Sequence, residues 1–345
     1  MNKFTKILLN WFDEHQRVLP WRGETDPYKI WVSEIILQQT RVVQGISYYQ
    51  RFVEKFPDVT ALASADEAEV LKLWQGLGYY SRARNMHAAA QFIRDHHHGV
   101  FPSDYKSIRS LKGIGDYTAA AIGSIAFGLP CPAVDGNVLR FVARYTGLYD
   151  NIAVESTRRH VEALCGQWLP AECPGTFNQA MMEMGAICCV PKSPDCSQCP
   201  FVDQCFAFQH GQVDQLPVKE HAVKIKRRYF NYFIFLSGGR TLLQRREADD
   251  IWKNLYEFPL VESPSSHFDV DRALASFSLD WETTPELVWE TRHVLTHRHI
   301  FARFYVLNVK SLPPVLPHQV VVPLENLRSY AVAKVTEIAI NKLFG

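Results

Sequence analysis

Four of the chain's eight cysteines lie within seventeen residues, at Cys189, Cys196, Cys199 and Cys205, with six, two and five residues between them. Thiolates this close can wrap one centre, and soft sulfur donors select zinc or an iron–sulfur cluster. Zinc sites usually pair their ligands closely and separate the pairs by a longer excursion. Here only Cys196 and Cys199 form a close pair, which favours one compact cluster. Zinc and a group of buried free thiols are the alternatives. Cys188 reads as a packing residue, and Cys131, Cys165 and Cys173 as structural ones. A chain of 345 residues can bury an ordinary core without staples, so the run reads as metal binding rather than as a disulfide framework.

Upstream of this run the pattern is helical. Phe4, Ile7, Leu8, Trp11 and Phe12 recur at helical spacing. Asp26-Pro27 starts a second helix, predicted over Tyr28 to Thr40. Further helices are expected at Asp66–Trp74 and Ser81–His98. Beyond the run, residues 211–228 hold 5 basic and 2 acidic side chains and read as a basic linker. Tyr229–Leu236 and Arg240–Arg246, joined by Gly238-Gly239, predict a β-hairpin. Strand character returns around Val288–Val306, and a last helix is expected over Ala331–Leu343. The expected organisation is an all-α domain over 1–210, the linker 211–228 and an α+β domain over 229–345.

Three segments carry candidate chemistry. Glu34 lies among bulky apolar residues on the second helix, where partial desolvation raises a carboxyl pKa and suits a general acid. Gln38, four residues on, is expected on the same face. Asp135 precedes Gly136-Asn137 and an apolar helix; alone, it reads as an ordinary N-cap. Leu111-Lys112-Gly113-Ile114-Gly115 joins two predicted helices. Its two glycines permit a tight turn whose amides, with the next helix N-terminus, can hold a phosphate. Such a grip needs no net positive charge, which matters because the chain carries a formal charge of only +1.

In order and content these segments resemble the helix-hairpin-helix DNA glycosylases of the endonuclease III and MutY type. The Trp31-Val32-Ser33-Glu34 and Gln38-Gln39-Thr40 segments resemble the catalytic helix of the adenine-specific branch. The resemblance implies one [4Fe–4S] cluster on Cys189, Cys196, Cys199 and Cys205, and a monovalent cation at the hairpin. It implies that Glu34 protonates adenine and that Asp135, positioned by Asn137, stabilises the oxocarbenium ion. Gln38, Gln39 and Thr40 would read the flipped base or fill its gap, and Gly113 and Gly115 would hold the backbone. Tyr79, in Gly76-Leu77-Gly78-Tyr79, would wedge the stack, with Arg82 and Arg84 approaching phosphates. Strand-cutting relatives carry a lysine where this chain has Tyr117, which implies a monofunctional enzyme that leaves an abasic site. Asp116 departs from the basic residue often found there.

Trp252–Pro259 resembles the Nudix-like C-terminal domain of the same branch. A nucleotide-hydrolysing Nudix domain needs a glutamate-rich helix, and no such run follows Pro259. The resemblance implies instead recognition of 8-oxoguanine opposite the adenine. Leu295-Thr296-His297 stands where that branch usually has Phe-Ser-His, which makes Thr296 and His297 the candidate readers. The expected partner is double-stranded DNA with A:8-oxoguanine or A:G mispairs. The chain is expected to be monomeric, with no membrane, in the cytoplasm on the nucleoid; Met1–Gln16 lacks a secretory layout. The rival readings are an endonuclease III-like glycosylase and lyase for damaged pyrimidines, and a non-catalytic iron–sulfur DNA-binding protein.

Overall fold

The computed structural model describes residues 1–220, 225–277 and 284–345. Lys224, part of the expected linker, lies outside them. By contact the chain divides into two compact units, one of residues 1–64 and 85–221, the other of 65–84 and 222–345. No described helix is long and apolar enough to cross a membrane.

The helices in chain order are α1 (Lys3–His15), α2 (Pro27–Leu37), α3 (Val42–Lys55), α4 (Val59–Ser64), α5 (Glu67–Leu73), α6 (Ser81–His96), α7 (Tyr105–Ser110), α8 (Asp116–Phe127), α9 (Gly136–Thr146), α10 (Glu155–Trp168), α11 (Pro174–Glu183) and α12 (Phe206–Gln209). Local chemistry sets their starts. Asp26 caps α2 through the amide of Tyr28, with Pro27 in the first turn, and Asp135 caps α9 through the amides of Asn137 and Val138. The second helix stops at Leu37 rather than running to Thr40. Gln38 leaves helical geometry as its C-cap and Gln39 turns left-handed at φ +55°. Gln38 therefore does not extend the helical face of Glu34.

The core of the first unit gathers α1, α9, α10 and α11. Phe4 stacks on Trp168 at 4.4 Å and on Phe201 at 4.7 Å between ring centroids. Phe201, fully buried, lies inside the cysteine run, so this stack ties that run to the helical core. A π-helical turn, Met184–Cys188, carries the chain from α11 to Cys189.

The expected linker is not free chain. Ile152 donates its amide to the Val218 carbonyl, Arg144 donates to the Leu216 carbonyl, and Leu216 is buried. These bonds hold its first half on the first unit. Lys226, Arg227 and Arg228 already belong to a strand.

In the second unit β1 (Lys226–Leu236), β4 (Leu260–Ser263), β5 (Glu286–Val294) and β6 (Arg298–Asn308) form one sheet in the order β4-β1-β6-β5. A second sheet, β3-β2-β7, uses β2 (Arg240–Arg245), β3 (Tyr256–Glu257) and β7 (Gln319–Pro323). The helices α13 (Val270–Ala275) and α14 (Lys334–Phe344) complete the unit. β1 runs parallel to β6 from Lys226↔Arg298 to Leu236↔Asn308 and antiparallel to β4. The expected 229–246 hairpin is thus corrected: both edges of β1 are taken, so β2 pairs in the other sheet, and only Ser237↔Arg240 bridges across the turn.

Residues 65–84 were expected within the first domain, yet they cluster with the second unit. The reason is a set of bonds of long sequence separation. Tyr80 donates its hydroxyl to the Val332 carbonyl, Lys72 donates to the Tyr330 carbonyl, and Asn254 bonds Glu67.

Candidate active site

In the first unit α2, α8, α9 and α11 surround a cavity of about 670 Å³, within the usual range for a small-molecule site. Glu34, Tyr117, Asp135 and Asn137 share its wall with Gln38, Gln39 and Thr40. Residues from 34 to 137 are brought together because α2 packs on α8, and α9 starts beside them.

Glu34 sits on α2 between the buried Ser33 and Ile35. Burial pushes its carboxyl up from 4.5 to about 7, against a hydrogen bond from Tyr117; the negative charge of Asp135 pushes further up and Arg22 pulls down. Such a group exchanges protons near neutrality. Burial, with both carboxylates nearby, holds the Tyr117 phenol well above its ordinary value, so it stays protonated. Its hydroxyl also lies 3.1 Å from Met182 Sδ.

Asp135 caps α9 and faces the cavity at once. Its Oδ1 accepts from the amides of Asn137 and Val138 at 2.8 Å each, and its Oδ2 accepts from Asn137 Nδ2 at 2.8 Å. Burial raises the Asp135 carboxyl while those donors pull it back. Capping and chemistry are therefore compatible.

The hairpin between α7 and α8 has the expected shape. Gly113 lies at φ +83°, and a Cβ there would meet the Asn85 side chain at 2.7 Å. Gly115 is the N-cap of α8 in extended geometry. Arg109 donates to the Ile114 carbonyl at 2.9 Å and pairs with Asp116 at 2.5 Å, so Asp116 serves to brace the turn.

Cys189, Cys196, Cys199 and Cys205 line one small cavity with Cys188, between Phe141 and Phe201. Among the described residues no three His, Cys, Asp or Glu groups already stand in a metal-binding arrangement; the sulfurs share a cavity rather than a finished polyhedron. The donor set still fits a thiophilic centre. It offers four soft donors in a largely apolar box, with the buried Arg144 donating to Cys189 Sγ at 3.4 Å and to the carbonyls of Val190 and Pro191. Cys188 packs against the helical core as expected, and the neighbouring Cys199 and burial push its thiol up.

The second unit holds another cavity of about 670 Å³, lined by Tyr79, Tyr80, Trp252, Thr296, His297 and Arg298 among others. Tyr79 and Thr296, 217 residues apart, hydrogen-bond through their hydroxyls. Tyr79 is left-handed at φ +45° and 43% exposed. Thr296 and His297 lie in the turn between β5 and β6. Arg82 and Arg84, the expected phosphate contacts, both have partners within the second unit. Arg82 folds back to donate to the Leu77 and Gly78 carbonyls and lies 5.2 Å over the Trp74 ring, and Arg84 donates to the Lys253 carbonyl. The tight Gly76–Gly78 turn leaves carbonyls that Arg82 satisfies.

Residues 32–169 match the HhH-GPD superfamily of base excision DNA repair proteins, and residues 231–342 match the NUDIX domain. An adenine DNA glycosylase of Buchnera aphidicola subsp. Schizaphis graminum is 33% identical over 257 residues, 74% of each chain. The Homo sapiens adenine DNA glycosylase is 40% identical over 222 residues, 62% of this chain and 41% of that one. The chain belongs to the adenine DNA glycosylase family. Among solved structures, a thermostable thymine-DNA glycosylase superposes on 60% of this glycosylase and 95% of its own length, with a TM-score of 0.55 and 27% identity. An endonuclease III trapped on DNA covers 60% and 94%, with a TM-score of 0.52 and 23% identity, and shares the fold.

Several residues of this glycosylase's cavity escaped the sequence reading. Glu183, buried on α11, receives Arg17 Nε at 2.7 Å and Arg22 Nη2 at 3.1 Å, and Arg22 also donates to Gln179. The Nε of Arg22 is buried without a partner among the described residues. Arg158 lines the cavity and donates to the Val134 carbonyl, beside Asp135. Arg17 and Arg22 lie in the unpatterned loop between α1 and α2, so only their sharing one acidic partner on α11 reveals them.

Proposed function

We propose that the chain releases adenine from DNA, where it stands opposite 8-oxoguanine or guanine, by hydrolysing the N-glycosidic bond and leaving an abasic site. The observation that carries this reading is one cavity holding Glu34 and Asp135 with Tyr117 between α2 and α9. Two carboxyl groups pushed into different roles by their surroundings are what glycosidic cleavage requires.

The adenine is extruded from the duplex at a cost of a few kcal/mol and enters the cavity. Glu34, protonated in a good fraction of molecules near neutral pH, donates its proton to N7 of the base, which makes adenine a leaving group. Electron density leaves the C1′–N9 bond, and the sugar becomes an oxocarbenium-like cation. Asp135, held by three donors, supplies the facing negative charge. Glu34, now ionised, accepts a proton from the attacking water. The buried Arg22 Nε and the Gln179 amide offer polar partners to the edge of the base. Tyr117 stays neutral and cannot form a Schiff base, so the strand remains intact.

In this reading the thiolates of the four cysteines would hold a [4Fe–4S] cluster, which would brace the loop and supply no step at the base. A monovalent cation at the hairpin belongs to the same proposal. The second unit's cavity, with Thr296 and His297, reads the base opposite adenine. Cytoplasmic, nucleoid-associated action as a monomer follows from the same reading.

The test is base release from duplexes with A opposite 8-oxoguanine, G or T, and with thymine glycol opposite A. Adenine release from the first, with strand breakage only after alkali, supports the proposal. Thymine glycol release points to a pyrimidine-lesion enzyme. Asp135→Asn separates an enzyme from a DNA-binding protein, since it should keep duplex binding and lose base release.

A further inference from the structure

One carboxylate organises the wall of the second unit's cavity. Asp250, in the segment between β2 and β3, pairs with Arg228 of β1, with Arg246 at 3.5 Å and with Arg298, the first residue of β6, at 3.1 Å. Two of these arginines have another carboxylate: Arg228 pairs with Glu262 at 2.6 Å and Arg246 with Glu257 at 2.8 Å. Asp250 is the carboxylate that Arg298 pairs with. Burial would raise the Asp250 carboxyl, but the bond from Arg228 and the charges of Arg228 and Arg298 outweigh it and keep the group ionised.

Arg298 closes the turn that carries Thr296. The Leu295 amide donates to the Arg298 carbonyl at 2.8 Å, and the Lys226 amide donates to the His297 carbonyl at 3.0 Å. The turn is thus fastened at its base by Asp250 through Arg298, and at its apex by Tyr79 through Thr296. Thr296, Arg298 and Asp250 all line the same cavity.

We propose that Asp250 is a positioning residue for recognition of the base opposite adenine: by holding Arg298 it fixes the Leu295–His297 turn, so that the Thr296 hydroxyl and the Arg298 guanidinium meet the base edge together. The inference rests on the reading of this cavity as the one that receives that base. The chemistry of the guest matches. 8-Oxoguanine differs from guanine by a hydrogen on N7 and an oxygen on C8. A hydroxyl can accept from the first, and a guanidinium can donate to the second. Such discrimination needs both groups held before binding, because a loose turn spends the contact energy on ordering itself.

The test uses the full chain and duplexes whose target is 2′-fluorinated deoxyadenosine, which resists cleavage, opposite either 8-oxoguanine or guanine. Dissociation constants give a preference ratio. Asp250→Asn should lower the ratio by about tenfold, the scale of one charge-assisted hydrogen bond. Arg298→Gln should lower it equally, Asp250→Glu should recover part of it, and the double variant should fall no further than either single one. A merely structural role would instead weaken both duplexes alike, and that result, or multiplicative losses in the double variant, overturns the proposal. Thermal unfolding checks each variant; should Asp250→Asn fail to fold, Arg298→Gln and Asp250→Glu carry the test. A wild-type chain that holds both duplexes equally sinks the lesion-reading cavity and this inference with it. A wild-type preference that survives these substitutions sinks the inference alone.

Discussion

Arg140 donates through Nη2 to Asn137 Oδ1 at 2.9 Å, while its Nε donates to the Cys189 carbonyl at 2.8 Å. Asn137 in turn donates to Asp135. One guanidinium therefore spans the start of α9 and the first residue of the cysteine run, and also holds the Gly185 carbonyl at 2.5 Å. Replacing Arg140 with Gln should free Asn137 and remove one fixed donor from Asp135. Single-turnover adenine release should fall by about tenfold to a hundredfold, as for loss of a bond that orients a charged group. Duplex affinity, measured beside it, should change far less.

Glu34 must carry a proton to act as an acid, and its carboxyl is pushed up to about 7. The rate of base release in single turnovers should therefore decline as pH rises through about 7. Glu34→Gln should abolish release at every pH.

The raised Glu34 carboxyl also has a consequence for stability. The folded value, about 7, lies above the ordinary 4.5, so the folded state binds more protons between those values and loses stability as pH rises through that window. Glu34→Gln removes this loss. Its stability relative to the parent chain should be more favourable at pH 8 than at pH 5 by about 2–3 kcal/mol, since each tenfold difference in proton affinity between folded and unfolded chain is worth about 1.4 kcal/mol. Urea unfolding at the two values checks the sign, and an advantage larger at pH 5 would contradict the burial of this carboxyl.

Tyr117 lines the same cavity as Asp135, where the proposed reading puts the sugar. Tyr117→Lys should gain strand-cleaving activity through a Schiff base. Borohydride should then trap a protein–DNA adduct with the variant and none with the parent chain. No adduct from a folded variant would mean that position 117 does not reach the sugar carbon.

Gly185, in the π-helical turn, packs against α9 so closely that a Cβ would lie 2.5 Å from the Asn137 carbonyl oxygen. Gly185→Ala should cost about 1–3 kcal/mol, the usual penalty of overpacking. Because the clash is with backbone at Asn137, base release should fall more than duplex binding does. Equal losses would show that the strain is absorbed elsewhere.

What sequence alone determined about this protein is what short-range chemistry controls. The caps at Asp26 and Asp135, the left-handed Gly113 and the close spacing of Cys196 and Cys199 act over a few residues, so their pattern is legible in order along the chain. The same locality misled where local preference was overruled. Gly238-Gly239 signals a hairpin, but β1 is paired on both edges and hands β2 to another sheet. Apolar residues continue to Leu37, but Gln38 and Gln39 turn out of the helix to line the cavity. Only the tertiary structure decided the groups whose partners lie far along the chain: Arg17 with Glu183, 166 residues apart, Tyr79 with Thr296, 217 apart, and Asp250 with Arg298. It also decided the acidity of Glu34. A carboxyl group's pKa depends on the solvent it loses and the charges it meets, and α8, α9 and the loop bearing Arg22 supply both only once folded.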